Sequence, residues 1–192
     1  MRLNGTLSRE AALRPILIAL PAVLLATTVE AQRPRTAPAD APATLSIAAQ
    51  NEPGSRLSIK GRVLDPAGKP VAGASLYVFQ TDARGYYAPG NPRGENDARI
   101  HGYLRTDRNG EFSVATIRPG HYPDATIVQH VHFFVNAPGA PEKTFEIIFT
   151  DDPKLTDQIR NDAKRPDSFY SLCAPEKRNG VDHCEVTVRL GR

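Results

Sequence analysis

Short segments that alternate apolar and polar residues, separated by turns rich in glycine and proline, make up most of the chain after Leu57. In the first segment, Leu57, Ile59 and Val63 share one side, which is the two-residue period of a half-buried β-strand. Further strands are predicted at residues 75–80, 111–117, 128–135, 144–149 and 185–190. Short strands between such turns favour an all-β fold, an antiparallel β-sandwich.

Two other segments interrupt this pattern. Residues 154–165 are predicted to form one short polar helix, which Pro166 ends. The loop from Tyr86 to His101 is long and contains several glycines and prolines. Long loops in compact β domains often carry function, so this loop is a candidate part of a binding site.

The N-terminal residues carry the pattern of an export signal. Three arginines precede an apolar stretch from Ile16 to Thr27, and residues 29–31 (VEA) form a small-x-small cleavage pattern. We therefore predict a signal peptide at 1–31, a flexible linker rich in Pro and Ala at 32–55, and a folded domain at 56–192. The protein is expected to be periplasmic or secreted, with no stable membrane span after cleavage; the alternative is an uncleaved membrane anchor.

Charge and cysteine content narrow the function classes. The formal net charge is only +3 and no long basic run is present, so the sequence does not indicate a nucleic-acid partner. The two cysteines, Cys173 and Cys184, are close enough in sequence to form a local disulfide in an oxidising compartment. The alternative is a pair of metal ligands, although this spacing is unusual for zinc.

A His-x-His pattern lies in the predicted strand at 128–135. Alternate side chains of a strand point to the same side, so His130 and His132 can converge on one metal ion while Val131 faces the other way. The alternative for this pair alone is two histidines on the polar face of an edge strand.

Tyrosines in turns are the best candidates to complete a metal site. Tyr87 follows Gly85 in one turn, and Tyr122 follows Gly120 in another. Phenolate is a hard anionic oxygen donor that suits ferric iron, and tyrosinate ligation of iron has precedent in catalase. Taken alone, each tyrosine has the alternative of an amphipathic residue in the core or at its rim.

Several segments between Leu57 and Pro153 resemble the intradiol ring-cleavage dioxygenases, the catechol and protocatechuate dioxygenase superfamily, and in particular its small exported members. The first segment, 61–74, also resembles transthyretin-like (prealbumin-like) sandwiches, which are usually not enzymes. The ordered set Gly-x-Tyr, Gly-x-Tyr-Pro and His-x-His is more specific to the dioxygenases. The segments that carry the resemblance are 61–74 (GRVLDPAGKPVAGA), 79–87 (FQTDARGYY), 106–112 (TDRNGEF), 116–123 (TIRPGHYP) and 130–133 (HVHF).

The resemblance implies a non-haem Fe(III) site with Tyr87, Tyr122, His130 and His132 as ligands. Tyr87 would stay on the metal, and Tyr122 would leave it when a catechol binds. It further implies an oxidoreductase that cleaves the aromatic ring with O2 between the two hydroxylated carbons and incorporates both oxygen atoms into a muconate-type product. The implied partners are a small aromatic diol and O2; the oligomeric state stays open.

The sequence departs from the family pattern at two positions. Ile127 stands where many members carry an arginine, and Glu146 stands where a glutamine is common. Arg105 is one arginine that could supply the missing charge, and Gln129 could orient a ligand or substrate. Two alternative functions follow: a ferric or catechol-binding relative with little catalysis, and a non-enzymatic transthyretin-like binding module.

Overall fold

The computed structural model describes residues 35–90, 94, 98–123 and 125–191. The predicted signal peptide lies outside the described residues. Among the described residues, no helix has the length and apolar character needed to cross a membrane. These residues form ten strands and one helix: β1 (Thr44–Ser46), β2 (Arg56–Leu64), β3 (Ser75–Gln80), β4 (Ile100–Arg105), β5 (Glu111–Ile117), β6 (His130–Asn136), β7 (Lys143–Phe149), α1 (Asp157–Asp162), β8 (Tyr170–Cys173), β9 (Glu176–Arg178) and β10 (Val181–Arg189).

The strands form two five-stranded sheets. Sheet I has the order β1-β5-β2-β10-β9, and sheet II has the order β4-β3-β6-β7-β8. The predicted all-β sandwich is therefore confirmed, with mixed sheets in place of purely antiparallel ones. Three neighbouring pairs run parallel, namely β1 with β5, β2 with β10, and β7 with β8. Parallel neighbours require long connections, which local alternation does not reveal.

One apolar core fills the space between the two sheets. Leu57, Ile59 and Val63 of β2 are fully buried there, as the alternating pattern predicted. Sheet II contributes alternate residues of its strands, among them Val131, Phe133 and Val135 of β6. The residues between these point to the other face of sheet II, where the loops lie.

The prediction of a flexible linker at 32–55 was wrong over its described part. β1 pairs with β5, and the Ala37 N–H donates to Ser75 Oγ at 2.6 Å. A Cβ on Gly102 would lie 2.5 Å from a side-chain atom of Ile47, so this glycine lets the segment lie directly over β4. Strand pairing uses the backbone, and Leu45 and Ile47 supply the apolar packing, which is why the overall Pro and Ala content misled.

Two C-terminal predictions are confirmed in outline. The helix is shorter than predicted, because Thr156 caps it by accepting from the Ile159 N–H. Cys173 of β8 and Cys184 of β10 form the disulfide, with Cα atoms 5.6 Å apart, which excludes the metal-ligand alternative. Since β8 belongs to sheet II and β10 to sheet I, the disulfide joins the two sheets.

Candidate metal centre

His130 and His132 lie at the start of β6, on the face of sheet II that points away from the core. Both are 93% buried, with 7% of the surface exposed, and their ring centroids are 4.5 Å apart with the planes nearly perpendicular (88°). The predicted geometry of a His-x-His strand is therefore present, and the edge-strand alternative is wrong because β6 lies between β3 and β7.

Both imidazoles are oriented through the same nitrogen. His130 Nδ1 lies 2.7 Å from the Val128 carbonyl oxygen, which can only accept. His132 Nδ1 lies 3.1 Å from Glu146 Oε1, on the residue of β7 paired with it. With the proton held at Nδ1, each ring presents the lone pair of Nε2 to the interior of the site, which is the tautomer that a metal-binding histidine needs.

Two glycines bring the tyrosine turns against each other. A Cβ on Gly85, whose φ is +90°, would lie 1.8 Å from the carbonyl oxygen of His121, and a Cβ on Gly120 would lie 2.4 Å from that of Ala83. No other residue fits at either place without moving the backbone. The glycine two residues before each tyrosine therefore sets the distance between Tyr87 and Tyr122.

The two phenol oxygens meet the two imidazoles. Tyr87 Oη lies 2.7 Å from His132 Nε2, and Tyr122 Oη lies 3.1 Å from His130 Nε2. The two phenol oxygens also contact each other. The structure thus brings together all four side chains predicted as ligands, from two turns and one strand. The carboxylate of Glu146 lies close to both histidines. It contacts His132 Nδ1, and not the Nε2 atom that faces the phenols.

The two tyrosines differ in surroundings. Tyr87 is 1% exposed and packs in the outer aromatic layer of sheet II, with Tyr77 and Phe79. Tyr122 is half-buried and lines a surface cleft. Tyr86, the neighbour of Tyr87 in the chain, instead lies near the guanidinium of Arg84. Tyr122 is therefore the phenol of the cluster that an incoming ligand meets.

The cleft above the cluster has a volume of about 390 Å³. Ile127, 46% exposed, lies at its rim, where the resemblance leads one to expect arginine. Burial, together with the charges of Glu146 and Asp162, raises the pKa of Tyr170, so its phenol keeps its proton and can donate a hydrogen bond. The residues that line the cleft are Tyr122, Thr126, Ile127, Val128, His130, His132, Glu146, Lys154, Thr156, Ile159, Phe169 and Tyr170.

Nothing in the sequence pointed to one of these residues, Lys154. It follows β7 in a turn, and its ammonium donates to the Ala125 carbonyl oxygen at 3.0 Å. Of the residues that line the cleft as the structure describes it, Lys154 is the one with a cationic side chain. A lysine in a turn is ordinarily a solvated surface residue, and only the fold shows where it lies.

The buried carboxylate of Asp152, which sequence reasoning also missed, connects the turns around the site. It accepts from the backbone N–H groups of Gln129 at 2.6 Å and Lys154 at 2.8 Å, and both its oxygens lie 3.0 Å from His121 Nε2. Burial alone would raise the pKa of Asp152, but these hydrogen bonds outweigh it and hold the pKa below its ordinary value. Asp152 thereby ties the Tyr122 turn to the start of β6.

The structure does not bring the two predicted substrate contacts, Gln129 and Arg105, into the cluster. The Gln129 side chain accepts from Arg118 Nε at 2.9 Å, just before β6 begins. Arg105 is in register with Ser75, at the far end of β3 from the histidines, and donates to the backbone carbonyls of Ala37, Pro38 and Gly73. A long polar side chain forms hydrogen bonds with whichever partner the fold brings near, and the sequence does not specify that partner.

A family model described as Dioxygenase matches residues 31–181, most of the chain. This chain is a member of the intradiol dioxygenase family. Among curated relatives, catechol 1,2-dioxygenase of Acinetobacter baylyi is 29% identical over 123 residues, which cover 55% of this chain and 40% of the relative. Protocatechuate 3,4-dioxygenase beta chain of Burkholderia cepacia is 34% identical over 108 residues, with coverages of 50% and 45%. The chain spans less than half the length of these family members.

Solved structures of the family share the fold. The dioxygenase domain of a dioxygenase and carbohydrate-binding protein fusion from Streptomyces sp. SirexAA-E superposes with a TM-score of 0.58 at 26% identity, covering 79% of this chain and 91% of that one. Catechol 1,2-dioxygenase from Acinetobacter sp. ADP1 superposes with a TM-score of 0.60 at 23% identity, with coverages of 80% and 59%.

Proposed function

We propose that Tyr87, Tyr122, His130 and His132 hold a non-haem ferric ion, and that the protein cleaves catechol-type rings with O2. The convergence of the four donor atoms is the observation that supports this most directly. The donor set suits Fe(III): two phenolates are hard anions that offset two of its three charges, and both imidazoles present Nε2. Glu146 then acts on the metal through His132, by holding its ring orientation and raising its basicity.

When bound, ferric iron would withdraw electron density from a catecholate and so enable its reaction with O2. The protein's part is to bind, orient and move protons. Tyr122 lines the cleft, and its phenolate oxygen would accept a proton from one catechol hydroxyl as the substrate enters. Tyr87 is fixed by packing in the outer aromatic layer and would remain in place. Overall, catechol and O2 combine to a hexadienedioic acid, with both oxygen atoms in the new carboxyl groups.

The remaining cleft residues would position the ring. Ile127 and Phe169 offer apolar surface at the rim, and the protonated phenol of Tyr170 offers a hydrogen-bond donor. A small ring fits a volume of about 390 Å³. The relatives are named for catechol, hydroxyquinol and protocatechuate, and we propose a member of the catechol class as the substrate here.

A second candidate function is ferric catecholate binding with little ring cleavage. Ile127 favours it, because a cation beside a reacting anion can contribute orders of magnitude in rate and the described cleft offers only Lys154. Turnover separates the two candidates, since both require the same metal centre.

The decisive experiment is the visible spectrum of the iron-loaded protein before and after a catechol is added under nitrogen. Fe(III)-tyrosinate should give a broad red-brown charge-transfer band that moves to longer wavelength with bound catecholate. Fading of the shifted band in air, with one O2 consumed per ring, is expected for the dioxygenase; a band that persists in air indicates the binder. A colourless protein contradicts the metal centre itself. The Tyr103→Phe variant, which removes a phenol outside the cluster, should keep the band.

We also propose that the protein is exported, with cleavage after Ala31. The Cys173–Cys184 disulfide supports this, because disulfides persist mainly in oxidising compartments. Cell fractionation with mass measurement of the mature chain tests the idea. A full-length chain recovered in the cytoplasm with free thiols contradicts it.

A further inference from the structure

A second cleft, of about 500 Å³, lies on the far side of the α1 segment from the metal centre. Residues 156–170 separate the two clefts, and Tyr170 lines both of them. We call it the basic cleft, because its lining includes five cationic side chains and no carboxylate. The five are Lys143, Arg160, Lys164, Arg165 and Arg189.

Four of these five cations have no carboxylate within 4.0 Å among the described residues; only Arg165 has one, through an exposed pair with Asp167. Their polar contacts are neutral: Lys143 donates to the Ser168 carbonyl, Arg160 to that of Thr150, and Lys164 to an amide oxygen. Outside the cleft, ion pairing is the common state of the arginines. Those paired with a carboxylate are Arg35, Arg62, Arg84, Arg99, Arg118 and Arg178.

Without a bound anion, this cluster of cations lowers the stability of the folded protein. Like charges around one cleft repel, and partial burial lowers the pKa of Lys143 because its ammonium loses hydration, an effect that the charge of Asp167 only partly offsets. An anion in the cleft would restore the missing partner and make several charge-assisted hydrogen bonds at once. Four cations without a carboxylate partner around one concave surface therefore indicate a ligand site.

We propose that the basic cleft binds small organic dicarboxylates. Cations reach it from α1 and the residues after it (Arg160, Lys164) and from the ends of two strands (Lys143, Arg189), so two separated anionic groups can be held. The lining also contains apolar and aromatic residues, among them Phe145, Tyr170 and Leu172, which suit a carbon skeleton better than an inorganic anion.

The choice of occupant rests on the proposed function. Cleavage of a catechol between its hydroxylated carbons turns a neutral diol into a dicarboxylate, which is a dianion at neutral pH. Tyr170 lines both clefts. A product that leaves the cleft at the metal centre therefore needs only to pass Tyr170 to meet the cations of the basic cleft. The existence of an anion site does not depend on this reaction.

The test is calorimetric titration of the intact iron-loaded protein with hexadienedioate at neutral pH and low salt. The probe is compared with its neutral dimethyl ester and with inorganic phosphate. Binding of the dianion, with the ester and phosphate weaker by about tenfold or more, supports the proposal. The double variant Lys164→Ala/Arg189→Ala, which changes exposed residues and so preserves the fold, should raise the Kd for the dianion by about tenfold or more.

Matched variants locate the bound dianion. Lys60→Ala/Lys69→Ala removes the same charge from exposed positions outside the basic cleft and should leave the Kd nearly unchanged. His132→Ala removes the metal centre, so binding that persists in it lies outside that centre. The proposal is overturned if no binding occurs, if phosphate binds as tightly, if both double variants weaken binding equally, or if His132→Ala abolishes it. A protein that binds the dianion without cleaving catechol keeps this site and refutes the proposed function.

Discussion

The two faces of β6 show how differently one strand can be used. Val131, Phe133 and Val135 point into the core between the sheets and are fully buried among apolar side chains. His130 and His132 point the other way, and every nitrogen of their rings faces an oxygen atom. The inner face is stabilised by non-directional burial, whereas the outer face depends on directed hydrogen bonds.

Because of this difference, substitutions at neighbouring positions of β6 should affect either mainly the stability of the fold or mainly the metal centre. A change on the inner face should alter folding and spare the ligand geometry of molecules that do fold. A change on the outer face should alter the metal centre and lower the free energy of unfolding of the apo protein by less than a change on the inner face. Four substitutions test the separation, beginning with the largest expected effect.

His132→Ala should abolish the charge-transfer band and lower ring cleavage by about 10³-fold or more, since loss of one preorganised group alone can cost about 10²–10³-fold. The melting temperature of the metal-free protein should fall by less than in Phe133→Ala. The measurements are the visible spectrum, O2 uptake and thermal unfolding. His183→Ala, on β10, is the control and should keep its colour; a coloured, active His132→Ala protein would exclude His132 as a ligand.

Phe133→Ala, one position along β6, should have the opposite profile. It empties a fully buried ring site and should lower the free energy of unfolding by about 3–5 kcal/mol, measured by urea denaturation. The fraction that remains folded should still bind iron with the same band position. A loss of the band at full folding would show that the two faces of β6 are coupled. Phe134→Ala, on the outer face, should cost less stability because that ring is only half-buried.

Glu146→Ala should weaken iron binding by about 10- to 100-fold, because His132 loses the acceptor that fixes its ring. Glu146→Gln keeps an acceptor oxygen without the charge, so its effect should be smaller and should shift the charge-transfer band. Competition with a chelator measures the affinity. Equal, wild-type affinity in both variants would contradict the orienting role of this carboxylate.

The smallest effect concerns Asp152, whose pKa is held below its ordinary value in the folded protein. A depressed pKa contributes stability when the pH is above the ordinary value, and this contribution is lost as the pH falls through the folded value. Asp152→Asn should therefore lower stability at neutral pH and flatten the loss of stability on acidification below the ordinary carboxyl pKa. Thermal unfolding across this range measures it; parallel curves for both proteins would contradict the assignment.

The order of residues along the chain predicted those features that depend on neighbouring residues alone. The strands at 57–63 and 111–117 were found because a half-buried strand must alternate, and the strand at 75–80 from its aromatic and branched residues. The resemblance to the dioxygenases implied the four ligands, whereas alternation along the strand explained only how His130 and His132 converge. β1 was missed because it has only three residues and lies in a stretch rich in Pro and Ala, and the β2–β10 pairing because it joins distant parts of the chain. Asp152 and Lys154 were missed because only the fold shows where turn residues lie.

The place of β10 in sheet I bears on how the protein is made. β10 is the last of the described strands, yet it pairs along the whole length of β2, the first long strand. Contacts between such distant segments slow folding, so a nascent chain leaves the edge of β2 and its apolar face exposed until β10 has been synthesised. A chain that terminates before Val181 would lack both this strand and Cys184, and we expect it to aggregate instead of accumulating as a shortened but functional protein.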